Sequence, residues 1–437
     1  MSIRTDKLFL IYQILKDNEL KSIRLDRLLL NKLAKNDFTD SDLRFIHKIV
    51  YGVIRNKRTL DFYIEKIYNG KYKKLLTKYK ILLRIGLYQI HYMNSIPDYA
   101  SVNTVIELAK KIDNSKVNLI NAILRNLSKS DSLEDKNIDD LSIKFNHPEW
   151  MIDKWSNVYD KETMLRILNA NNSEPIIWFR INTLKTNEAE VKSMLNNKGI
   201  KIESCSYIDN FFKSSSPQKV LKSDLFDKDF ISVQNPSNGL VVKLLDPIKN
   251  KVIIDGCSAP GGKLKFINEI TGGNEKIKCY DSNQKRLSII NDYLKKQKIS
   301  NISSHLKNLA NDKIEKFDIG LIDVPCSGTG VMSKRVDLRW RRKSSDLKEM
   351  IQIQSSILAN IAKYVKKSGV LVYSTCSIEQ EENWQIIDNF LNSNDNFELE
   401  RGEKYIPEQF IDKNGCMSIL PDTNGFDGIF AARMIKR

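Results

Sequence analysis

Residues 251–263 read KVIIDGCSAPGGK, a short apolar run that turns through three glycines into a helix-forming stretch. Gly256, Gly261 and Gly262 carry no Cβ, so the turn lets a ligand approach the backbone closely. The pattern continues downstream. KIKCYD (276–281), FDIGLID (317–323) and GVLVYST (369–375) are further apolar runs of the buried-strand type, and helical stretches such as QKRLSIINDYLKKQ lie between them. Strands alternating with helices predict a parallel sheet covered on both faces. Ligands of such sheets gather outside the carboxyl ends of the strands. A Rossmann-like α/β domain is therefore expected over 246–437.

Three ligand classes compete for the glycine turn. A triphosphate loop needs GxxxxGK[ST]; counting from Gly256, Gly262 stands where lysine is required and Leu264 follows Lys263. A dinucleotide fingerprint needs GxGxxG, and Ser258 occupies its second glycine, which disfavours a nicotinamide-linked oxidoreductase. A nucleoside-type ligand without a pyrophosphate remains. Asp281 ends the second strand, 26 residues after Asp255, where an acid can accept from both ribose hydroxyls.

FDIGLIDVPCSGTG places Asp323 and Cys326 where one strand leaves the sheet, and GVLVYSTCSIEQEENW places Cys376 at the end of another. Neighbouring strands lie ~4.8 Å apart, so if these two are adjacent both thiols face one pocket. Two reduced thiols and a carboxylate suit the methylation of cytosine at carbon 5, which is too poor a nucleophile to react unaided. A thiolate adding to carbon 6 makes the ring an enamine, an acid near ring nitrogen 3 stabilises the developing charge, and a base later removes the carbon 5 proton. A thiol of pKa ~8.5 is only slightly ionised at neutral pH, so a nearby cation or dipole must assist. Cys205, Cys257, Cys279 and Cys416 lack this context and read as small buried residues.

Upstream of 246 the patterning changes. Residues 5–128 read as helix throughout. Thr39, Asp40 and Ser41 offer caps for DLRFIHKIVYGVIRN, Pro97 breaks the pattern after ILLRIGLYQIHYM, and SVNTVIELAKKI and KVNLINAILRNL follow. No cluster of acid, base and nucleophile occurs here, so 1–130 is expected to bind or scaffold. The polar stretch SKSDSLEDKNIDD and the residues after it suggest a linker, 131–144. IIWFRIN, NEAEVKSMLNNKG and IKIES then read as strand, helix and strand, a small α/β subdomain over 145–245.

At 437 residues the chain exceeds the reach of one core, and its net charge of +16 favours a polyanionic partner. No CxxC pair and no HExxH motif occurs, so no metal site is expected. No apolar run suits a membrane helix, and the amino terminus reads as an amphipathic helix rather than a signal peptide, so a cytoplasmic location is expected. No feature specifies an oligomer, and a monomer is expected.

At these motifs the sequence resembles the bacterial 16S ribosomal RNA cytosine-5 methyltransferases of the RsmB (Sun) type, over nearly its whole length. DGCSAPGGK is similar to the family's methyl-donor loop, IDVPCSGTGV and VDLRWRRK to its first cysteine motif, and VYSTCSIEQEEN to its second. RINTLK, VQNPS and GFDGIFAARMIK resemble further family segments, and 5–128 resembles its NusB-like RNA-binding domain. The resemblance implies S-adenosylmethionine as cofactor and an unpaired cytidine of small-subunit rRNA as target. It implies Cys376 as nucleophile, Cys326 as the thiol that releases product, and Asp323 as the acid near methyl donor and target ring. Cys257, Ser258, Ala259, Pro260, Gly261, Gly262 and Lys263 match the cofactor loop, and Asp281 the ribose acid. Where the family usually has an aspartate against adenine this chain has Asn308, which keeps a hydrogen bond and loses a charge.

Of three rivals, the sequence distinguishes two. A DNA cytosine-5 methyltransferase would use the PC cysteine as nucleophile and has no need of the helical domain. A non-catalytic RNA-binding assembly factor would tolerate loss of a cysteine or of the glycine turn, and both are intact. A cytosine-5 methyltransferase acting on another RNA shares every motif above.

Overall fold

The computed structural model describes residues 3–34, 37–129, 138–248 and 251–437, and these divide into two compact units. The first comprises the chain up to Asn172 with Met332–Arg342; the second comprises Ser173–Val331 with Lys343–Arg437.

In the first unit the helices Ile3–Lys21, Leu25–Leu33, Asp40–Arg55, Lys57–Ile67, Thr77–Tyr92, Asp98–Ile112 and Val117–Leu127 form the expected all-α bundle. Their apolar faces meet in one core that includes Leu8, Ile11, Ile46, Val50, Leu82, Ile85, Val105 and Leu124. Thr39 starts its helix with a capping box. Its hydroxyl accepts from Asp42 N and the Asp42 carboxylate accepts from Thr39 N, both at 3.2 Å.

The bundle does not end where the polar stretch begins. Residues 130–137 of the expected linker lie outside the described residues, but Leu141–Lys144 is a helix, capped by Asp140 accepting from Ser142 N at 2.7 Å. The bundle holds this segment. Thr59 N donates to Asn146 Oδ1 at 2.9 Å, Thr59 Oγ1 donates to the Ile143 carbonyl at 2.7 Å, and Ile138 joins the core. The helices Glu149–Ser156 and Lys161–Asn172 complete the unit.

Met332–Arg342 enters this unit from far along the chain. Val336 lies in the bundle core, and the Trp340 indole donates to the Ile54 carbonyl at 2.7 Å. Arg339 is fully buried and donates to the carbonyls of Asn146 and Asn171 and to Asn172 Oδ1, at 3.1, 2.8 and 2.6 Å.

The second unit holds two sheets. The smaller joins β1 (Trp178–Ile181), β2 (Ile202–Ser204), β3 (Phe211–Ser214) and β4 (Ile231–Val233) in antiparallel order β2-β3-β1-β4, with helix Glu188–Asn196 packed on it through Val191 and Leu195. The larger contains β5 (Ile253–Gly256), β6 (Ile277–Asp281), β7 (Ile302–Leu306), β8 (Phe317–Asp323), β9 (Val365–Thr375), β10 (Phe397–Glu400), β11 (Met417–Ile419) and β12 (Ile429–Lys436). Its order is β10-β12-β9-β8-β5-β6-β7, with β11 also paired to β12. β7, β6, β5, β8 and β9 run parallel, and β12 turns antiparallel against β9. The Rossmann-like expectation holds, extended by an antiparallel edge. The chain leaves β5 toward β6 and β7 and returns on its other side to β8. The crevice of an open α/β sheet forms at such a reversal.

Candidate active site

Because β6, β5, β8 and β9 are successive neighbours, their carboxyl ends bring Asp281, Asp255, Asp323 and Cys376 to one edge. The glycine turn begins there. Cys257 takes a left-handed φ of 60°, and Gly261 caps helix Gly262–Ile270 at φ 98°, a conformation glycine adopts without steric cost. Ser258 N donates to the Tyr280 carbonyl at 3.0 Å and Ala259 N to Asp281 Oδ2 at 3.3 Å, which fastens the turn to β6. The other Asp281 oxygen accepts from Asn283 N at 2.9 Å. Asp255 is buried beneath the turn and accepts from the Ser258 hydroxyl, while its Oδ1 has no hydrogen-bond partner. Burial pushes its carboxyl up to about 7, against the opposing Ser258 hydrogen bond.

β8 and β9 are adjacent, as the thiol argument requires. The Sγ atoms of Cys326 and Cys376 stand 3.2 Å apart, in contact and without a disulfide. Asp323 lies beside them. Its Oδ2 accepts from Lys263 Nζ at 2.7 Å and its Oδ1 from the Ser374 hydroxyl at 2.7 Å. Burial works against the Lys263 ammonium, but the charge and hydrogen bond of Asp323, followed by the charge of Cys376, outweigh it, and its pKa rises. A cation thus stands at the strand edge that carries the thiols. The sequence reading placed Lys263 only in the cofactor loop.

The hydrogen bond to Cys376 and burial hold the Cys326 thiol well above its ordinary value, and the charges of Cys376, Glu382 and Asp323 add to the effect. Cys257 also lies at this edge, but burial and then the charges of Asp281, Asp323 and Asp255 push it up to about 12, which disqualifies it as a thiolate at neutral pH. Asn308 follows β7, exposed, with its side-chain oxygen accepting from Ala310 N at 3.2 Å.

The cysteine loops are buttressed from the carboxyl terminus. Gly330 N donates to the Cys376 carbonyl at 3.0 Å, and Gly428 N to the Gly330 carbonyl at 2.8 Å. A Cβ on Gly330 would meet the Gly428 oxygen at 2.1 Å, so this backbone contact requires glycine. Sequence reasoning also missed Glu382, which is fully buried and reaches both cysteine loops.

Among the described residues no group of three or more His, Cys, Asp or Glu is placed to hold a metal, and no helix is long and apolar enough to cross a membrane.

A parallel core with an antiparallel edge, a glycine turn after its first strand and acids at the neighbouring strand ends defines the Rossmann-like methyltransferase class. The chain belongs to the 16S rRNA methyltransferase RsmB/F family, whose model matches residues 242–435. The NusB family model matches residues 1–129, and that of an RsmF/B-like ferredoxin-like domain matches 147–220. A ribosomal RNA small subunit methyltransferase B of Photorhabdus laumondii is 32% identical over 93% of this chain and 94% of its own. A probable ribosomal RNA small subunit methyltransferase B of Bacillus subtilis is 30% identical over 94% of each chain. The solved structure of PH0851 covers 100% of both chains at TM-score 0.83 and 23% identity, a likeness of fold.

Proposed function

We propose that this methyltransferase acts on carbon 5 of an unpaired cytidine in 16S rRNA, through a covalent adduct between Cys376 and carbon 6. The methyl donor is S-adenosylmethionine, which supplies an electrophilic methyl group on a sulfonium. The observation that carries the reading is the thiol pair at 3.2 Å beside the Lys263–Asp323 ion pair.

The residues fit this cofactor. Each Asp281 oxygen takes one backbone N–H and keeps a further acceptor site, as two ribose hydroxyls need. Asp255 Oδ1, buried without a partner, offers a further polar atom under the turn formed by Cys257, Ser258, Ala259, Pro260, Gly261 and Gly262. The Asn308 oxygen is engaged by Ala310 N, which leaves its NH2 to meet an adenine acceptor.

The chemistry then follows from the charges. Lys263 favours the thiolate of Cys376, whose lone pair forms the bond to carbon 6 while the ring π electrons shift toward carbon 5. Ring nitrogen 3 takes up a proton from water as the adduct forms, and the Asp323 carboxylate beside it stabilises the positive charge so placed. Carbon 5 takes the methyl group and gives up its proton to a base. The sulfur–carbon bond then breaks, the double bond returns, and the pocket regains a thiolate. Cys326, 3.2 Å away, gives its proton to the departing Cys376 sulfur and is itself left as the thiolate of the pair.

The test is a denaturing gel with labelled 16S rRNA and two variants. Cys376→Ala has no thiolate to add and forms no adduct. Cys326→Ala adds and transfers methyl but stalls at elimination, so it accumulates a protein–RNA band that survives denaturation. A stable band in Cys376→Ala instead reverses the roles. No band in either variant, with cofactor binding intact, overturns the covalent reading.

A further inference from the structure

Glu382 has no exposed surface, yet its carboxylate receives four hydrogen bonds from three residues. One oxygen accepts from Ser327 N at 2.8 Å and from Gln354 Nε2 at 2.9 Å. The other accepts from the Ser327 hydroxyl and from the Ser377 hydroxyl, the latter at 2.5 Å. Ser327 follows Cys326 and Ser377 follows Cys376. One buried anion therefore grips the residue after each thiol. The grip extends further. Gln354 Nε2 also donates to the Pro325 carbonyl at 2.9 Å, Ser327 and Ser377 hydroxyls stand 3.0 Å apart, and the Tyr373 hydroxyl donates to the Glu382 carbonyl at 2.7 Å. Hydrogen bonds to a charged acceptor are about twice as strong as neutral ones, and a buried carboxylate that loses them is left at high cost. The clamp therefore sets the distance between the loops.

We propose that Glu382 is a positioning residue that holds the two cysteines in contact and keeps the shared proton on Cys326, leaving Cys376 as the thiolate. The charge acts with the geometry. Glu382 hydrogen-bonds the backbone N–H next to Cys326, and its negative charge is among the causes that raise the Cys326 thiol. Lys263 and Asp323 bias the pair from the cofactor side, and Glu382 biases it from the buried side. The assignment of catalytic roles rests on the reading above; the clamp itself does not.

Glu382→Gln separates charge from shape. Its amide oxygen can take the place facing Ser327 N and Gln354, while its NH2 faces two hydroxyls that can turn to accept. Glu382→Ala removes both. The measurement is alkylation of each cysteine by iodoacetamide as a function of pH, read by peptide mass spectrometry on the full chain without RNA. In the unsubstituted protein Cys376 reacts at lower pH than Cys326. Glu382→Gln, folded and binding S-adenosylhomocysteine, moves Cys326 alkylation to lower pH, so that its rate at pH 8 rises about tenfold relative to Cys376; tenfold corresponds to one pKa unit. Glu382→Ala also weakens trapping in the Cys326→Ala adduct gel. An unchanged Cys326 profile in folded Glu382→Gln overturns the proposal, as does equal reactivity of the two thiols at the start. If the profile shifts but the adduct forms through Cys326, the clamp stands and the catalytic assignment falls.

Discussion

Lys263 Nζ stands 2.7 Å from Asp323 Oδ2, and the charge and hydrogen bond of that carboxylate raise the pKa of the ammonium against its burial. Lys263→Met removes the cation and leaves Asp323 beside the thiols. Both changes disfavour a thiolate. Alkylation of Cys376 at pH 8 should slow by about tenfold or more, and methyl transfer should fall at least as far. An unchanged alkylation rate in a folded variant would show that the ammonium does not serve the thiol.

Asp281→Ala should weaken binding of S-adenosylmethionine by ~1–3 kcal/mol, the cost of leaving donors without an acceptor. Calorimetry on the folded variant is the check. Unchanged affinity removes Asp281 from the cofactor site.

Asp255 predicts a pH dependence of stability. Its folded pKa of about 7 lies above the ordinary carboxyl value, so between the two the native state holds a proton that the unfolded chain has lost. Its contribution is full below pH ~4 and fades as pH rises through about 7. By ~pH 8 it amounts to a loss on the order of 2–4 kcal/mol. Asp255→Asn keeps an acceptor for Ser258 and abolishes the titration. Urea unfolding should show the variant gaining on the unsubstituted protein from pH 5 to pH 8. A constant difference over that range rules the titration out.

Arg339 has three neutral oxygens as partners, and burial lowers it to about 9. Arg339→Lys cannot reproduce the planar fork, so it should destabilise the helical unit by ~2–4 kcal/mol. Thermal unfolding measures this. Full stability would mean that the fork geometry is dispensable.

Truncation is a poor test of RNA binding by the helical unit, because helices up to Asn172 and the segment Met332–Arg342 belong with the bundle. Charge reversal is the better probe. Lys71, Lys73 and Lys74 are exposed around one turn. Changing all three to glutamate should lower rRNA affinity, with a shallower salt dependence, and leave cofactor affinity intact. Equal rRNA affinity across salt concentrations would exclude this surface.

The catalytic sheet was legible because each parallel strand is a compact apolar run, and the strand ends carry the chemistry. KVIID, FDIGLID and GVLVYST announce themselves by composition. β7, with the sequence ISSHL, is largely exposed at the sheet edge and has no such run. β3 and β4 span four and three residues, too few for alternation to be counted. The cysteine pair was readable up to the adjacency of two strands, which only the fold decides. Lys263 was visible as part of the turn but not as the partner of Asp323, because that ion pair joins the start of helix Gly262–Ile270 to the end of β8. Glu382 was hidden beside Glu379 and Glu381, since nothing in IEQEEN tells that Glu382, and not the equally buried Glu379, reaches both cysteine loops. The hold of Thr59 on Ile143 and Asn146, beyond the polar stretch, was not legible, because no periodicity links residues so far apart.

Met332–Arg342 also sets a timetable for synthesis. Chains emerge from the ribosome amino end first, and leading domains generally fold as they appear. Here the bundle's core lacks Val336 until 336 of 437 residues have been made. The nascent bundle must wait, unfinished, while the cofactor turn and the first cysteine loop are translated. The gene therefore has no clean cut between its halves: a bundle borrowed from a relative would have to bring that relative's version of residues 332–342 with it.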